Sequence, residues 1–433
     1  GLSDESAFSI SRDDAVSFNQ LGLIDTDIDM LSDVAICPLC DTIYLSSINR
    51  MDEWGDCSTG DVYQTASCDS IWRSFDNGDT WERINHGDWS EQNVDSEILL
   101  RLPCDAVDDC CDYDDLSAPS GTIYMGIQGT DSLQYSRDCG QCWSSPPAQK
   151  VTIQDFAVES ENIVYVLDAD GYVSVSTQYG RHPADEVDTG VGSGHSITSC
   201  CMNGVVAVGG AGDEPVAWSE DGGESWNLTD DLDENSSGLV HVACYDCDGT
   251  TTLFAAVSDI DPWPWTGGIY RTTIDDGSWT DIEALAFGYY GIALGRSDGP
   301  LYAVSDNIAV NSSEDCLCER FGIYDDDPHD EIYSGVARNL DPCTTDCCDS
   351  EVWDYLIAGL NENSLLPGGE YFNAEPSALR ICGCTTMDTN SVLWAIDKEL
   401  YDVTDGSDGT LWSYEDCAAK HGPTLTSPAD ESL

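Results

Sequence analysis

Acidic side chains crowd into three short segments of the chain in the way that a hard cation requires. Calcium is bound by carboxylate and carbonyl oxygens that a flexible loop brings together. None of the segments matches the helix–loop–helix calcium motif, because the first lacks its Gly and its closing Glu. We expect calcium at one or more of them, with a solvated acidic turn as the alternative at each. The segments hold Asp25, Asp27 and Asp29, then Asp402, Asp405 and Asp408, and the run from Asp325 to Asp330.

Paired carboxylates are also what a retaining or inverting glycosidase needs. The chain has 82 Asp plus Glu residues, so a suitable pair is neither identified nor excluded by the sequence. Asp33 and Asp155 are two examples, but an acid in such a chain is far more often a solvated surface group. The sequence therefore indicates no catalytic residue, and we predict that the protein is not an enzyme.

Cysteine is the second residue type whose spacing points to chemistry, with 21 copies in tight groups. Disulfides are the favoured interpretation, because the six histidines do not lie at zinc-ligand spacing beside the cysteines. A thiolate-bound metal and a redox CxxC remain alternatives. Adjacent cysteines seldom bond each other, so we predict that each reaches a different neighbouring element. The groups include Cys37/Cys40, Cys110/Cys111, Cys139/Cys142, Cys200/Cys201, Cys244/Cys247, Cys316/Cys318, Cys347/Cys348 and Cys382/Cys384.

Disulfides at this density predict an extracellular or cell-surface location. N-glycosylation sequons beginning at Asn227, Asn235 and Asn311 give weak support to the same location. Gly1 to Ser11 contains no signal peptide, so we expect a mature product or a fragment.

The charge balance excludes several classes of partner. Against 82 acids the chain has only 15 Lys plus Arg, giving a formal charge of -67. Without a basic patch it is not expected to bind nucleic acid, and no apolar run is long enough to insert into a membrane. Self-repulsion of this size must be screened, which fits either a halophilic surface or one coated by calcium.

An eight-residue repeat then indicates which elements carry these residues. Its pattern is Ser, any residue, Asp, any residue, Gly, two further residues and Trp. Degenerate copies begin at Ser11, Ser176, Thr273 and Ser313. The three clear copies, called boxes below, are Ser74, Asp76, Gly78 and Trp81; Ser136, Asp138, Gly140 and Trp143; and Ser219, Asp221, Gly223 and Trp226.

Short runs rich in β-branched and aromatic residues flank the boxes and predict strands. In the box itself, Ser and Asp can bond turn amides, Gly supplies a positive φ, and Trp fills the space beneath. We therefore predict a structural role for the boxes. The runs directly ahead are Ile71–Arg73, Val216–Trp218 and Ile269–Arg271, and those further upstream are Thr42–Leu45, Thr122–Met125, Ile163–Val166, Thr252–Ala255, Leu301–Val304 and Val392–Ala395.

These boxes resemble the Asp-box, or BNR repeat, of sialidases, sortilin-type receptors, xyloglucan-cleaving hydrolases and other secreted proteins. The resemblance implies an all-β fold, a single β-propeller of four-stranded blades, over residues 1–420. We predict seven blades, with eight as the alternative, and an N-terminal hairpin that closes the ring. Residues 333–378 are read as an insertion or a diverged blade. Residues 421–433 are read as a linker, and a sandwich domain that follows it is one interpretation.

The resemblance does not imply an activity, because the box occurs in enzymes and non-enzymes alike. Sialidases bind a carboxylate with three arginines, one in an Arg-Ile-Pro-like motif before the first box. The nearest match, Arg101-Leu102-Pro103, follows the box at Ser74, and Arg73 and Arg271 directly precede a box or box-like turn. A three-arginine pocket is therefore not expected.

The sequence as a whole favours a non-catalytic, secreted structural or interaction protein. A cell-surface layer, sheath or filament subunit that self-assembles with cations or salt fits the acidity, the cysteines and the repeat. The alternative is an extracellular glycoside hydrolase or glycan-binding adhesin that uses the central face of the propeller.

Overall fold

The structure is a computed structural model of the chain. It describes residues 8–10, 19–21, 30–36, 42–48, 69–76, 78, 80–87, 89, 97–104, 121–201, 204–211, 216–232, 238–247, 249–258, 267–283, 289, 291–294, 300–309, 332–344, 353–355, 376–382, 391–397 and 410–416. None of these residues lies in an α-helix. Accordingly, the described part contains no helix with the length and hydropathy to cross a membrane.

Alternating and β-branched segments form thirty strands in the described residues. Sheets 1 to 3 contain β3 (Met30–Ile36), β4 (Ile43–Ile48), β5 (Asp69–Ser74) and β6 (Glu82–Gly87); β7 (Ile98–Arg101), β8 (Ile123–Ile127), β9 (Leu133–Ser136) and β10 (Trp143–Ser144); and β11 (Asp155–Ser160), β12 (Ile163–Leu167), β13 (Tyr172–Thr177), β14 (His182–Pro183) and β15 (Val187–Asp188).

The remaining sheets continue the same order along the chain. Sheets 4 and 5 contain β16 (Ser196–Ser199), β17 (Val206–Gly209), β18 (Ala217–Ser219) and β19 (Asn227–Leu228); and β20 (Val240–Cys247), β21 (Thr250–Val257), β22 (Gly268–Thr273) and β23 (Thr280–Glu283). Sheets 6 and 7 contain β24 (Gly291–Leu294), β25 (Leu301–Ala309), β26 (Ile332–Asn339) and β27 (Trp353–Tyr355); and β28 (Pro376–Cys382), β29 (Ser391–Asp397) and β30 (Thr410–Asp416).

Every sheet is antiparallel, and in each the strands pair in chain order, save that β13 pairs with both β14 and β15. The six upstream runs predicted from the sequence are all second strands: β4, β8, β12, β21, β25 and β29. The runs directly ahead of the box patterns are the third strands β5, β18 and β22. These strand predictions are confirmed.

The first strand of each sheet is the innermost one. Contacts run from β3 to β7, β11, β16, β20, β24 and β28 in turn, and β28 of sheet 7 contacts β3 of sheet 1. The sheets are therefore arranged radially, and the predicted all-β propeller fold is confirmed.

The core is divided among the gaps between neighbouring sheets rather than gathered in one centre. Trp72 of sheet 1 packs with Trp394 and Ile396 of sheet 7. Similar apolar clusters fill the gaps between sheets 1 and 2, 2 and 3, 3 and 4, 4 and 5, 5 and 6, and 6 and 7. Strands buried on both faces explain why the second strands read as continuous apolar runs.

Several predicted boundaries depend on residues outside the described part. The N-terminal strands β1 (Phe8–Ile10) and β2 (Asn19–Leu21) pair with each other in a separate two-stranded sheet. Closure by this hairpin and the blade count therefore stay predictions. The described part of residues 333–378 supplies the outer strands of sheet 6 and the start of β28. Residues 421–433 lie outside the described residues.

Candidate functional site

Four charged side chains on the innermost strands form what we call the inner ionic cluster. Arg101 of sheet 2 binds Asp33 of sheet 1 through Nη1 at 2.5 Å and Asp155 of sheet 3 through Nη2 at 2.6 Å. Arg380 of sheet 7 binds the other oxygen of Asp33 through Nη2 at 3.0 Å. The cluster thus joins four consecutive sheets through alternating charges.

Local irregularities in the strands lie next to two of these residues. The pairing of β3 with β4 shifts register between Leu31 and Asp33, and that of β28 with β29 shifts between Ser377 and Arg380. A bulge re-aims the side chain beside it. At these positions the irregularity accompanies a side chain that crosses to the next sheet.

Backbone amides complete the coordination of both carboxylates. Asp33 also accepts hydrogen bonds from the amides of Val34 and Leu100, each at 2.9 Å. Asp155 accepts from the amides of Phe156 at 2.8 Å and Ile197 at 3.0 Å, the second lying in sheet 4. Asp33 therefore has two bonds on each oxygen, as a buried carboxylate needs.

The surroundings shift the pKa of three members of the cluster. Burial raises the pKa of Asp33, but the charges of Arg380 and Arg101 outweigh it and hold the pKa below its ordinary value. Burial lowers the pKa of Arg101, and the carboxylates of Asp155 and Asp33 reverse this, so its pKa is raised. For Arg380, burial dominates over the attraction of Asp33 and lowers the pKa.

Asp33 joins neighbouring sheets and has the features of a structural carboxylate rather than of a proton donor. A glycosidase general acid is a carboxyl group whose raised pKa keeps its proton available. Asp33 has the opposite shift, its side chain is 2 % exposed, and its oxygens are occupied. Asp33 is therefore ionised and unsuited to donate a proton.

The three boxes form the same turn between the third and fourth strands of sheets 1, 2 and 4. In the first, the amide of Gly78 donates to Ser74 Oγ at 2.8 Å, Ser74 Oγ donates to Asp76 Oδ1 at 2.9 Å, and Thr80 N donates to Asp76 Oδ1 at 2.8 Å. The box glycines all have positive φ, at 85° for Gly78, 91° for Gly140 and 83° for Gly223. The corresponding bonds recur around Ser136 and Asp138 and around Ser219 and Asp221.

Each box glycine lies against the preceding sheet. A Cβ on Gly78 would approach Trp394 of sheet 7 to 2.9 Å, and one on Gly223 would approach Val175 of sheet 3 to 2.9 Å. A Cβ on Gly140 would overlap Ile84 of sheet 1. Glycine is therefore required both for the turn and for the packing between sheets.

A turn with the same function in sheet 6 was not identified from the sequence. Between β26 and β27, the amide of Asp341 donates to Asn339 Oδ1 at 2.9 Å, as Asp76 does to Ser74. Arg271 of sheet 5 donates to Pro342 O at 2.8 Å, and Arg73 of sheet 1 likewise donates to Cys139 O of the next box. The box pattern did not reveal this turn, because Asn339 stands where the boxes have Ser. The one sequence signal was the arginine directly before Asn339, at the position that Arg73 has before Ser74.

The remaining degenerate boxes are placed differently. Thr273 and Gly277 form a hydrogen-bonded turn between β22 and β23, with a φ of 74° at Gly277. Ser176 lies at the end of β13, and the segment to Gly180 continues into the turn before β14. Ser11 and Ser313 lie outside the described residues, and Ser313 falls between the second and third strands of sheet 6, unlike the clear boxes.

Three disulfides join pairs of described residues, and each connects two sheets. Cys104 bonds Cys201, linking sheets 2 and 4, and the adjacent Cys200 bonds Cys244 of sheet 5. Cys247 bonds Cys343, linking sheets 5 and 6. The adjacent cysteines Cys200 and Cys201 therefore reach different elements, as predicted, and the described residues include one exposed free thiol, Cys142.

Most predicted calcium and glycosylation residues cannot be compared with the fold. Asp25, Asp27, Asp29, Asp402, Asp405 and Asp408, the run from Asp325 to Asp330, and Asn235 and Asn311 lie outside the described residues. Asn227 is exposed on the outer strand β19. In the described part, no group of three or more His, Cys, Asp or Glu is arranged to hold a metal ion.

Sequence reasoning placed two members of the ionic cluster among the acids without a means to select them. Asp33 and Asp155 were two examples among 82 acids. Arg101 was considered as a ligand for a substrate carboxylate, but its guanidinium binds Asp33 and Asp155 instead. Arg380 was missed. Its only local signal is a basic residue in an apolar strand of a chain with few basic residues.

Comparison with known proteins supports the β-propeller fold but identifies no activity. No protein-family model matches the chain, and no curated protein matches it in sequence. In structure it is similar to the GH74 enzyme of Niastella koreensis, with 14% identity, a TM-score of 0.51, and coverage of 86% of this chain and 53% of that one. It is also similar to YCF48 from Cyanidioschyzon merolae, with 11% identity, a TM-score of 0.50, and coverage of 87% and 95%. The chain spans about half the length of the Niastella protein, and what it shares with both is the β-propeller fold.

Proposed function

We propose that this protein is a non-catalytic, extracellular structural or interaction protein of the Asp-box propeller type. A subunit of a cell-surface layer, sheath or filament fits its properties best. The observation that carries the proposal is the inner ionic cluster, in which the central acids Asp33 and Asp155 bind arginines of neighbouring sheets. These acids are engaged in joining neighbouring sheets, and this engagement supports a structural rather than a catalytic use of them.

The disulfides support an extracellular setting. Bonds between separate sheets persist in oxidising surroundings and are reduced in the cytosol. In the described residues, three such bonds join cysteines that are 44 to 97 residues apart in the chain. N-glycosylation at Asn227, Asn235 and Asn311 belongs to the same proposal.

Charge sets the condition for assembly. Copies that each carry a formal charge of -67 repel one another at short range unless cations neutralise their surfaces. We therefore propose that the chain self-associates with bound calcium, at the acidic segments Asp25–Asp29 and Asp402–Asp408, or in high salt.

Sedimentation velocity on the purified chain tests this proposal. We expect large assemblies with millimolar calcium or molar salt, and dissociation when a chelator and low salt are combined. A monomer in every condition, or assemblies indifferent to both treatments, would overturn the proposal. Conversion to monomer by reductant alone would show that disulfides join the copies.

The second candidate is a glycoside hydrolase or glycan-binding adhesin that uses the central face. The fold similarity to the Niastella koreensis GH74 enzyme favours it. Incubation with a panel of β-glucans and xyloglucan, with product analysis, separates the two. Cleavage by the purified parent chain that persists in the exposed-site variant Asp170→Asn would establish the enzyme instead.

A further inference from the structure

Two histidines from neighbouring sheets meet at the inner strands, beyond the end of the ionic cluster. His195 directly precedes β16 of sheet 4, and His241 is the second residue of β20 in sheet 5. Their Nε2 atoms are 3.3 Å apart, and their rings are nearly perpendicular at 84°. Both side chains are half-buried, so solvent reaches the pair.

We propose that His195 and His241 form a binding site for a divalent transition metal such as zinc or copper. Two nitrogens bound to one tetrahedral zinc ion lie about 3.3–3.4 Å apart, given Zn–N bonds of 2.0–2.1 Å. The observed separation of 3.3 Å matches that edge. Neutral imidazole is a ligand that zinc, copper and nickel share. Among the described residues the protein supplies these two ligands, and water takes the remaining positions.

The surrounding backbone holds the two histidines in place. Ser196 Oγ donates to Val240 O at 2.7 Å and accepts from Val242 N at 3.1 Å, so it bridges the strands directly beside both rings. The amide of His195 donates to Gly209 O at 2.9 Å. A site whose ligands are fixed before binding loses less free energy on capturing the ion.

A covalent bond fixes the same two strands further along. Cys200, just after β16, is bonded to Cys244 of β20, with a Cα–Cα distance of 5.1 Å. Gly209, next to His195, also lets the sheets approach closely, because a Cβ there would overlap Val240 O. The inter-strand spacing that sets the Nε2 separation is thus constrained on both sides of the pair.

Zinc titration of the intact chain by calorimetry is the direct test. It is performed in excess calcium, which occupies carboxylate oxygens and has little affinity for imidazole. The background variant Cys142→Ser removes the exposed thiol. We expect one saturable zinc site, weakened at least tenfold by either His195→Asn or His241→Asn, because each removes half of the chelate.

The matched control is the double variant His86→Asn/His182→Asn, which removes two exposed histidines outside the pair. It should bind zinc as the parent does. Thermal melting without metal checks that each variant is folded. Zinc should raise the melting temperature of the parent and control but not of the two site variants.

Copper supplies a spectroscopic measure that a structural role would not affect. The Cu²⁺ form of the parent should show electron paramagnetic resonance coupling to two nitrogens, and each single variant should lose one. Affinity unchanged by both His195→Asn and His241→Asn, or the absence of any saturable site, would overturn the proposal. The pair would then be a structural contact between sheets.

Discussion

Among the links between described residues, two halves of the propeller are joined by different chemistry. Sheets 7, 1, 2 and 3, the ionic side, are linked through Arg380, Asp33, Arg101 and Asp155. Sheets 4, 5 and 6, the disulfide side, are linked by Cys200–Cys244 and Cys247–Cys343, and Cys104–Cys201 connects sheet 4 back to sheet 2. Apolar clusters fill the gaps on both sides, so the difference lies in the specific links added to them.

The difference shows that the two kinds of link respond to different conditions. A buried ion pair depends on each partner keeping its charge, so losing one partner leaves the other unpaired at a high cost. A disulfide has no charge to lose and stabilises chiefly by restricting the unfolded chain. The ionic side should therefore be sensitive to loss of charge, and the disulfide side to reduction.

The largest effect is expected from removing the shared acid of the ionic side. Asp33→Asn should lower the free energy of unfolding by about 3–5 kcal/mol, because Arg101 and Arg380 lose a common partner in a buried setting. Urea unfolding followed by tryptophan fluorescence measures the change. Asp170→Asn, at an exposed acid of sheet 3, is the control and should leave the midpoint unchanged. Equal urea midpoints for the two variants would show that the ion pairs of Asp33 do not stabilise the ionic side.

On the disulfide side, the paired change Cys200→Ser/Cys244→Ser should cost about 2–5 kcal/mol, because the unfolded chain regains the freedom that the bond removes. Urea unfolding without reductant measures it. Cys142→Ser, at the exposed free thiol, should be neutral. If reductant destabilises the paired variant as strongly as the parent, this bond is not a main link of the disulfide side.

The box glycines mark a packing contact that occurs between sheets 7 and 1 and sheets 1 and 2 of the ionic side, and also between sheets 3 and 4. Gly140→Ala should destabilise by about 1–3 kcal/mol more than Gly249→Ala, because overpacking against Ile84 adds to the strain of a positive φ. Both glycines have positive φ, 91° and 85°, but a Cβ on Gly249 would meet nothing within 4 Å. Thermal melting of the two variants isolates the packing contribution. An equal loss in both would leave backbone strain as the only role of the box glycine.

The smallest effect concerns the box carboxylate at pH 2 to 4. Hydrogen bonds from the side chain and amide of Ser225 lower the pKa of Asp221 from 3.8 to about 2. A lowered pKa stabilises the fold above pH 4, and this contribution is lost as the pH falls towards 2. Asp221→Asn should therefore show a shallower decline of melting temperature between pH 4 and 2 than the parent. Identical slopes would contradict a contribution from the ionised box acid.

Much of the fold was predictable because its signals are local. The six upstream runs became second strands because apolar, β-branched residues favour strands buried on both faces. The box turns were predictable because their hydrogen bonds join residues at most four apart, such as Ser74 to Gly78 and Asp76 to Thr80. The turn at Asn339 was missed because Asn can replace Ser as the acceptor.

The sequence by itself determined the all-β repeat, the turn chemistry and the use of disulfides. Only the tertiary structure decided which of the 82 acids join sheets and which cysteines bond each other. Asp33, for example, binds Arg380, which is 347 residues away in the chain. The same holds for His195 and His241, which are 46 residues apart in the chain. The physical reason is range. A turn is set by its own few residues, whereas ion pairs, disulfides and histidine contacts depend on which strands become neighbours and where their bulges aim the side chains.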